Sequence, residues 1–221
     1  MTSFADPEII ACPHCDQRYL RRVFRSLSLF RELTFSDGGS IGLLSSLKEH
    51  ACRCDNCNNI IKDYTKLPTL GIRTKPTFWQ RWFSEPVNYD YTPRVTLSVF
   101  LELYLQSKDT NEKRNWAIKA LRLINRTHKM DGHESALTPK LQDTYDNISQ
   151  FILDNPITPV VDEYWLICAD IHRLRGHFEM AKACYAKVCD QELTPFVEQG
   201  TRWCDDGNTS LMVVEFPESE W

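Results

Sequence analysis

The sequence predicts an α+β protein in two parts: a small β domain at the N-terminus and a larger antiparallel helical bundle, followed by a short C-terminal strand. Three observations predict it. Two C-x-x-C turns, Cys12-Pro-His-Cys15 and Cys54-Asp-Asn-Cys57, lie about forty residues apart near the start. From residue 94 onward, apolar residues recur at three- and four-residue steps, the period of helices that bury one face. Between them, residues 67–94 hold Pro68, Pro76, Pro86 and Pro93, which no continuous helix accommodates. The expected organisation is a β domain over 1–66, a connector over 67–94, a helical domain over 95–190 and an acidic segment with one strand over 191–221.

A chain of 221 residues with 42% hydrophobic content is long and apolar enough for a packed core. No apolar run reaches the roughly 20 residues that span a bilayer. The start, "MTSFADPEII", carries acids where a secretion signal would carry basic residues, so a soluble cytoplasmic protein without membrane contact is expected. Nine cysteines, an odd number in a chain with no secretion signal, argue for metal binding or buried thiols and against a disulfide framework. The net charge of -4 is concentrated at the end, where residues 190–221 carry one basic residue against eight acidic ones.

Two thiolates three residues apart on a tight turn reach one tetrahedral zinc at about 2.3 Å from each sulfur, and a second such turn closes the shell. Cys12, Cys15, Cys54 and Cys57 are therefore the expected ligands of one structural zinc. Cys52 offers an alternative to Cys54, but only Cys54 and Cys57 repeat the three-residue step of the first pair, which makes Cys52 the spectator. Asn58 suits the positive φ that often follows such a turn, and Asp16 tolerates it less well. A shell of four thiolates leaves no position for water, so it stabilises and does not catalyse.

Between the pairs, the β-branched and aromatic content and the Ser36-Asp37-Gly38-Gly39 turn predict a β hairpin. The same stretch holds Arg18, Arg21, Arg22, Arg25 and Arg31, with no acidic residue from 17 to 31. Arginines interleaved with Tyr19, Phe24 and Phe30 are one way to hold a nucleic-acid backbone, so nucleic-acid binding over 18–31 is the second functional reading. The plainer reading is a solvated basic face that compensates the doubly negative zinc–thiolate centre and the acidic tail. The C-P-x-C turn, arginine-rich strand, Ser36-Asp37-Gly38 turn and second C-x-x-C resemble a group of uncharacterised bacterial zinc-ribbon proteins over residues 12–57. The resemblance implies a fold and a metal, and no reaction.

In the connector, Phe78, Trp79, Trp82 and Phe83 form an aromatic cluster that reads as a clasp between domains or a surface for a partner. The helical part begins with Val95, Val99 and Leu103, continues with Ala117, Leu121 and Ile124, and then with Leu137, Leu141, Tyr145, Ile148 and Ile152. Asn111 and Ser135 are the expected N-caps, and Pro156 ends the third helix. Trp165, Cys168, Ala169 and His172, followed by Gly176, Ala181, Tyr185 and Val188, resemble the tetratricopeptide pattern of interlocking large and small residues. That resemblance implies a surface for proteins or peptides. Cys168, Cys184 and Cys189 are expected to be buried, inert thiols on the interlocking faces.

The sequence holds no Walker A loop, no dinucleotide glycine fingerprint and no G-x-S-x-G elbow. His128, Asp131, His133 and Glu134 cluster in "THKMDGHES", which makes a metal-dependent enzyme the third reading. The first is a non-enzymatic intracellular protein-binding module, of adaptor or inhibitor and immunity type, stabilised by zinc. The run from Leu211 to Phe216 reads as a strand that joins the N-terminal ribbon or pairs with Phe196-Val197. Joining the ribbon would bring the acidic tail to the arginines of 18–31.

Overall fold

A computed structural model describes residues 3–26, 33–36, 40–41, 51–73, 89–93, 96–129 and 135–216. Among the described residues it has small antiparallel sheets and six α-helices, an α+β composition. The chain forms two compact units, one from residues 1–31 and 47–99, the other from residues 32–46 and 100–221. The expected boundaries at 66, 94 and 190 thus give way to a division that is discontinuous along the chain, and backbone pairing is the reason.

In the first unit, β1 (Ser3–Phe4) pairs with β4 (Phe24–Ser26). Next to them, β2 (Glu8–Ala11) and β3 (Arg18–Arg21) form a hairpin in the register Glu8↔Arg21, Ile9↔Leu20, Ile10↔Tyr19 and Ala11↔Arg18. A second hairpin joins β7 (Cys52–Arg53) to β8 (Ile60–Ile61). These two hairpins, one around each cysteine pair, are additional to the one expected between the pairs, which β5 (Leu33–Thr34) and β6 (Ser40–Ile41) form. A C-x-x-C turn is itself a strand reversal, so it folds the residues on its two sides against each other.

The proline-rich stretch joins this unit as well. β9 (Gly71–Ile72) extends the sheet beyond β2, and on the other side Tyr91 bridges Leu20 in parallel, with Leu20 N donating to Asp90 O at 2.8 Å. Proline breaks helices, yet its neighbours remain free to pair as short strands. Arg21 fixes the intervening loop: its Nε donates to Glu8 at 3.0 Å, and its Nη1 donates to the carbonyls of Tyr64, Thr65 and Leu67. The clasp residues Phe78, Trp79, Trp82 and Phe83 lie outside the described residues.

The second unit is the helical bundle: α1 (Leu97–Gln106, whose first turn belongs to the first unit), α2 (Thr110–His128), α3 (Pro139–Asp154), α4 (Asp162–Leu174), α5 (Phe178–Tyr185) and α6 (Thr194–Asp205). Most residues of the expected apolar stripes are buried: Val99 and Leu103, Ala117, Leu121 and Ile124, and Tyr145, Ile148 and Ile152. Leu137 precedes the α3 cap and, like Leu141, is half-buried, and Val95 lies outside the described residues. The caps fall elsewhere than expected. Asp109 caps α2 by accepting from Glu112 N at 2.7 Å, while Asn111 accepts from Arg114; Thr138, placed just before Pro139, caps α3 in place of Ser135.

Helix α6 occupies the segment read as acidic coil with a strand. It buries Phe196, Gly200 and Cys204 at four-residue steps, so Phe196-Val197 is helical and pairs with no strand. Gly200 is required by close approach: a Cβ there would lie 2.3 Å from the Tyr185 ring. The apolar run after α6 takes the other expected course and pairs with the segment between the cysteine pairs. There β5 (Leu33–Thr34) and β6 (Ser40–Ile41) face each other across the expected turn, whose residues 37–39 lie outside the described ones. Phe35 bridges Val213, Ser36 N donates to Met212 O, and Val214 N donates to Thr34 O.

A buried ion pair anchors that junction. Asp170 and Arg173 of α4 are both fully buried. The Arg173 guanidinium satisfies all five of its N–H groups: Nε and Nη2 on Asp170 at 3.0 and 2.7 Å, Nη2 also on Ser36 Oγ at 2.9 Å, and Nη1 on the carbonyls of Asn208 and Ser210. Ser36 Oγ in turn donates to Asp170 at 3.2 Å.

Candidate metal centre

The two knuckles are built alike. In the first, Cys12 N donates to Gln17 O and Asp16 N donates to Cys12 O; in the second, Cys54 N donates to Asn59 O and Asn58 N to Cys54 O. Asp16 and Asn58 hold the same left-handed backbone, φ 59° and 60°. Asp16 therefore adopts the conformation to which it is the less suited residue. The repeated pattern turns the two sulfurs of each knuckle toward the other knuckle.

The four sulfurs of Cys12, Cys15, Cys54 and Cys57 lie within 4.8 Å of one another, with Cys12 to Cys57 at 3.8 Å and Cys15 to Cys54 at 3.6 Å. A tetrahedron with about 2.3 Å from centre to sulfur has edges of about 3.8 Å. The cluster can hold a metal ion, and among the described residues no other group of His, Cys, Asp or Glu converges in this way. Cys52, on β7 and fully buried, stays outside the cluster, and burial pushes its thiol up to about 12.

The centre is part of the hydrophobic core of its unit, packed with Ile10, Tyr19 and Ile61. Tyr19 was not read as part of the site from sequence, yet it closes one side: its hydroxyl donates to Cys54 Sγ at 3.2 Å and accepts from Asp55 N at 3.0 Å. Asn56 donates to Cys15 Sγ and Asn59 to Cys57 Sγ. Donors of this kind favour thiolate over thiol. Burial raises the Cys54 thiol, but the N–H groups of Cys57 and Asn56 and the Tyr19 hydroxyl outweigh it and bring the group to about 6. Burial dominates at Cys12, which rises to about 12. The Asn56 amide is the main cause of the lowering at Cys15.

The arginines of the expected nucleic-acid stretch diverge. Arg21 is committed to Glu8 and the 64–69 loop. Arg18 and Arg22 are exposed, and the side chain of Arg25 lies outside the described residues. Of the histidine loop only His128 is described, with Nδ1 2.8 Å from Ser135 Oγ; Asp131, His133 and Glu134 lie outside. Cys168 and Cys184 are buried and burial raises both thiols, as expected of inert core cysteines. Cys189 departs from that expectation: it follows the end of α5 and is exposed, having run past the interlocking face. Comparison with family models, curated proteins and solved structures returned no match.

Proposed function

We propose that the chain is a non-enzymatic binding protein of a reducing intracellular compartment, with a structural zinc holding its first unit and a helical unit that engages a protein or peptide partner. The observation that carries the reading is the convergence of four cysteine sulfurs in the core of the first unit. With every corner of the tetrahedron supplied by protein, the ion has no open position for water or substrate and acts on stability alone. Four thiolates in a tetrahedron are a ligand set that suits zinc.

Partner binding draws support from a groove of about 470 Å³ in the helical unit, whose lining includes Leu153, Pro156, Trp165 and Met180. Met180 is 54% exposed. Tryptophan and methionine concentrate at protein interfaces, which fits an adaptor or inhibitor role. No helix among the described residues is long and apolar enough to cross a membrane.

Elemental analysis tests the reading. One zinc per chain is expected in the native protein and none in a Cys54→Ser variant, together with a lower melting temperature. A metal-free native protein that melts cooperatively, or full zinc content in the variant, would overturn it.

A further inference from the structure

The discontinuous division of the chain sorts its charge. Residues 1–31 and 47–99 contain thirteen Lys and Arg against eight Asp and Glu, a net of +5, whereas residues 32–46 and 100–221 contain thirteen against twenty-two, a net of -9. Four thiolates around a divalent cation subtract two charges and leave the first unit positive. A contiguous reading of the sequence hides this, since residues 1–66 carry only +1.

On that basic unit, the edge of β3 carries two arginines beside two tyrosines. The segment 89–92 runs along β3 through Leu20 N to Asp90 O at 2.8 Å and Thr92 N to Leu20 O at 3.2 Å. Arg18 Nη1 donates to the Tyr89 hydroxyl at 3.1 Å, and the Arg22 guanidinium lies 4.7 Å from the centre of the Tyr91 ring. Tyr91 is 47% exposed. Among the described residues, neither Arg18 nor Arg22 has an ion pair with a carboxylate, and both are exposed. Arg21, between them on the opposite face of the strand, is spent on Glu8 and the 64–69 loop. Alternation along β3 puts Arg18 and Arg21 on opposite faces, and Arg22 follows the end of the strand.

We infer that this edge is a binding site for single-stranded nucleic acid, with phosphates on Arg18 and Arg22 and a base on Tyr91. Three observations favour that ligand over other polyanions. The positive charge matches a phosphate backbone. Guanidinium groups take phosphate oxygens through paired N–H bonds. An exposed aromatic ring beside them gives an unpaired base a face to stack on, which a duplex cannot use. Asp90 places one exposed carboxylate between the two tyrosines, which a bound strand would have to keep away from its phosphates. The site goes beyond the protein-binding reading and does not depend on it.

The test uses the full, zinc-loaded chain and fluorescein-labelled oligo(rU) and oligo(dT) of twelve nucleotides, read by anisotropy at 50 and 200 mM NaCl. Saturable binding that weakens with salt is expected. In a double Arg18→Gln, Arg22→Gln variant, affinity should fall at least tenfold and the salt slope should drop by about 1.4, the share of two phosphates on a single strand. Tyr91→Ala should weaken binding about tenfold, and Tyr91→Phe should restore it because the ring and not the hydroxyl stacks. Zinc content and circular dichroism show that each variant is folded.

The inference is overturned by absence of binding at 50 mM salt, or by binding unchanged in the double arginine variant. Equal affinity for a twelve-pair duplex or for heparin, with Tyr91→Ala silent, also overturns it in favour of a general cation-exchange surface. A difference between oligo(rU) and oligo(dT) identifies which strand chemistry the site prefers.

Discussion

Each unit of this protein closes around a buried charge centre that draws on distant parts of the sequence, and the two centres neutralise themselves in opposite ways. In the first unit four cysteines, from residues 12 to 57, bring only sulfur, and their thiolates require a cation from outside. In the second, Asp170 and Arg173 carry both signs within one turn of α4 and gather Ser36, Asn208 and Ser210 around them. Cys12 and Cys54 are buried and Cys15 and Cys57 half-buried, whereas Asp170 and Arg173 are fully buried. If the first centre holds its ion, folding of that unit is conditional on a ligand, whereas the second centre is complete within the chain itself.

Metal removal breaks the comparison most severely. Binding free energy of a structural zinc is folding free energy, on the order of 10 kcal/mol for small zinc domains. Chelation should abolish amide protection in β2, β3, β7 and β8 and leave α2 to α6 protected, as hydrogen exchange read by mass spectrometry would show. Uniform loss across both units would mean that the helical unit also depends on the ion.

Truncating the internal centre ranks second. Arg173→Met leaves Asp170 buried without its counter-charge and removes both bonds that hold the 208–210 carbonyls, at a cost of about 3–5 kcal/mol. Replacing both partners, Asp170→Leu with Arg173→Met, should recover part of that loss because no uncompensated charge remains. Thermal melts of the single and double variants give the coupling. If the double variant were as unstable as the sum of the singles, the network would act through Ser36 and the carbonyls and not through the ion pair.

The two centres also differ in how far the sequence announced them. The cysteine cluster was legible because its information is local: a three-residue step, a turn and a repeat of both. The Asp170–Arg173 centre was not, although two charged residues inside the apolar face of α4 were a visible signal. Its partner Ser36 is 134 and 137 residues away from Asp170 and Arg173, and no spacing rule reaches that far. Tyr19 reads in sequence as one aromatic among several, and only the β2–β3 register places its hydroxyl at Cys54. Helix α6 was hidden for another reason. Its four-residue steps of Phe196, Gly200 and Cys204 contain a glycine, which lowers helix expectation, while here the glycine admits the Tyr185 ring. Most of the helical stripes of α1 to α3 were legible because packing there follows local periodicity, although Leu137 falls before α3 begins.

Tyr19→Phe sharpens the first centre at smaller amplitude. The substitution keeps the ring in the core and removes the hydroxyl that donates to Cys54 and accepts from Asp55 N. Loss of an outer partner of a ligand costs 10- to 100-fold in metal affinity as an order of magnitude. Competition with a chromogenic chelator measures it. An affinity unchanged within twofold would show that the Asn56 and Asn59 amides and the knuckle N–H groups suffice to hold the thiolates.

The smallest effect separates the units by pH. His172 on α4 is nine-tenths buried and its Nδ1 has no hydrogen-bond partner among the described residues. Burial, and then His177 and Arg175, lower its pKa below the ordinary value. The unfolded chain thus takes up this proton at a higher pH than the folded one. The neutral imidazole contributes stability that is fully present above the unfolded value near 6.5 and is lost as pH falls toward the folded value. Melting of α2 to α6 should therefore decline gently from about pH 7 to pH 5, and His172→Gln should flatten that decline. In the variant, a slope identical to that of the native protein would assign the pH dependence to other groups and leave His172 a neutral packing residue at every pH tested.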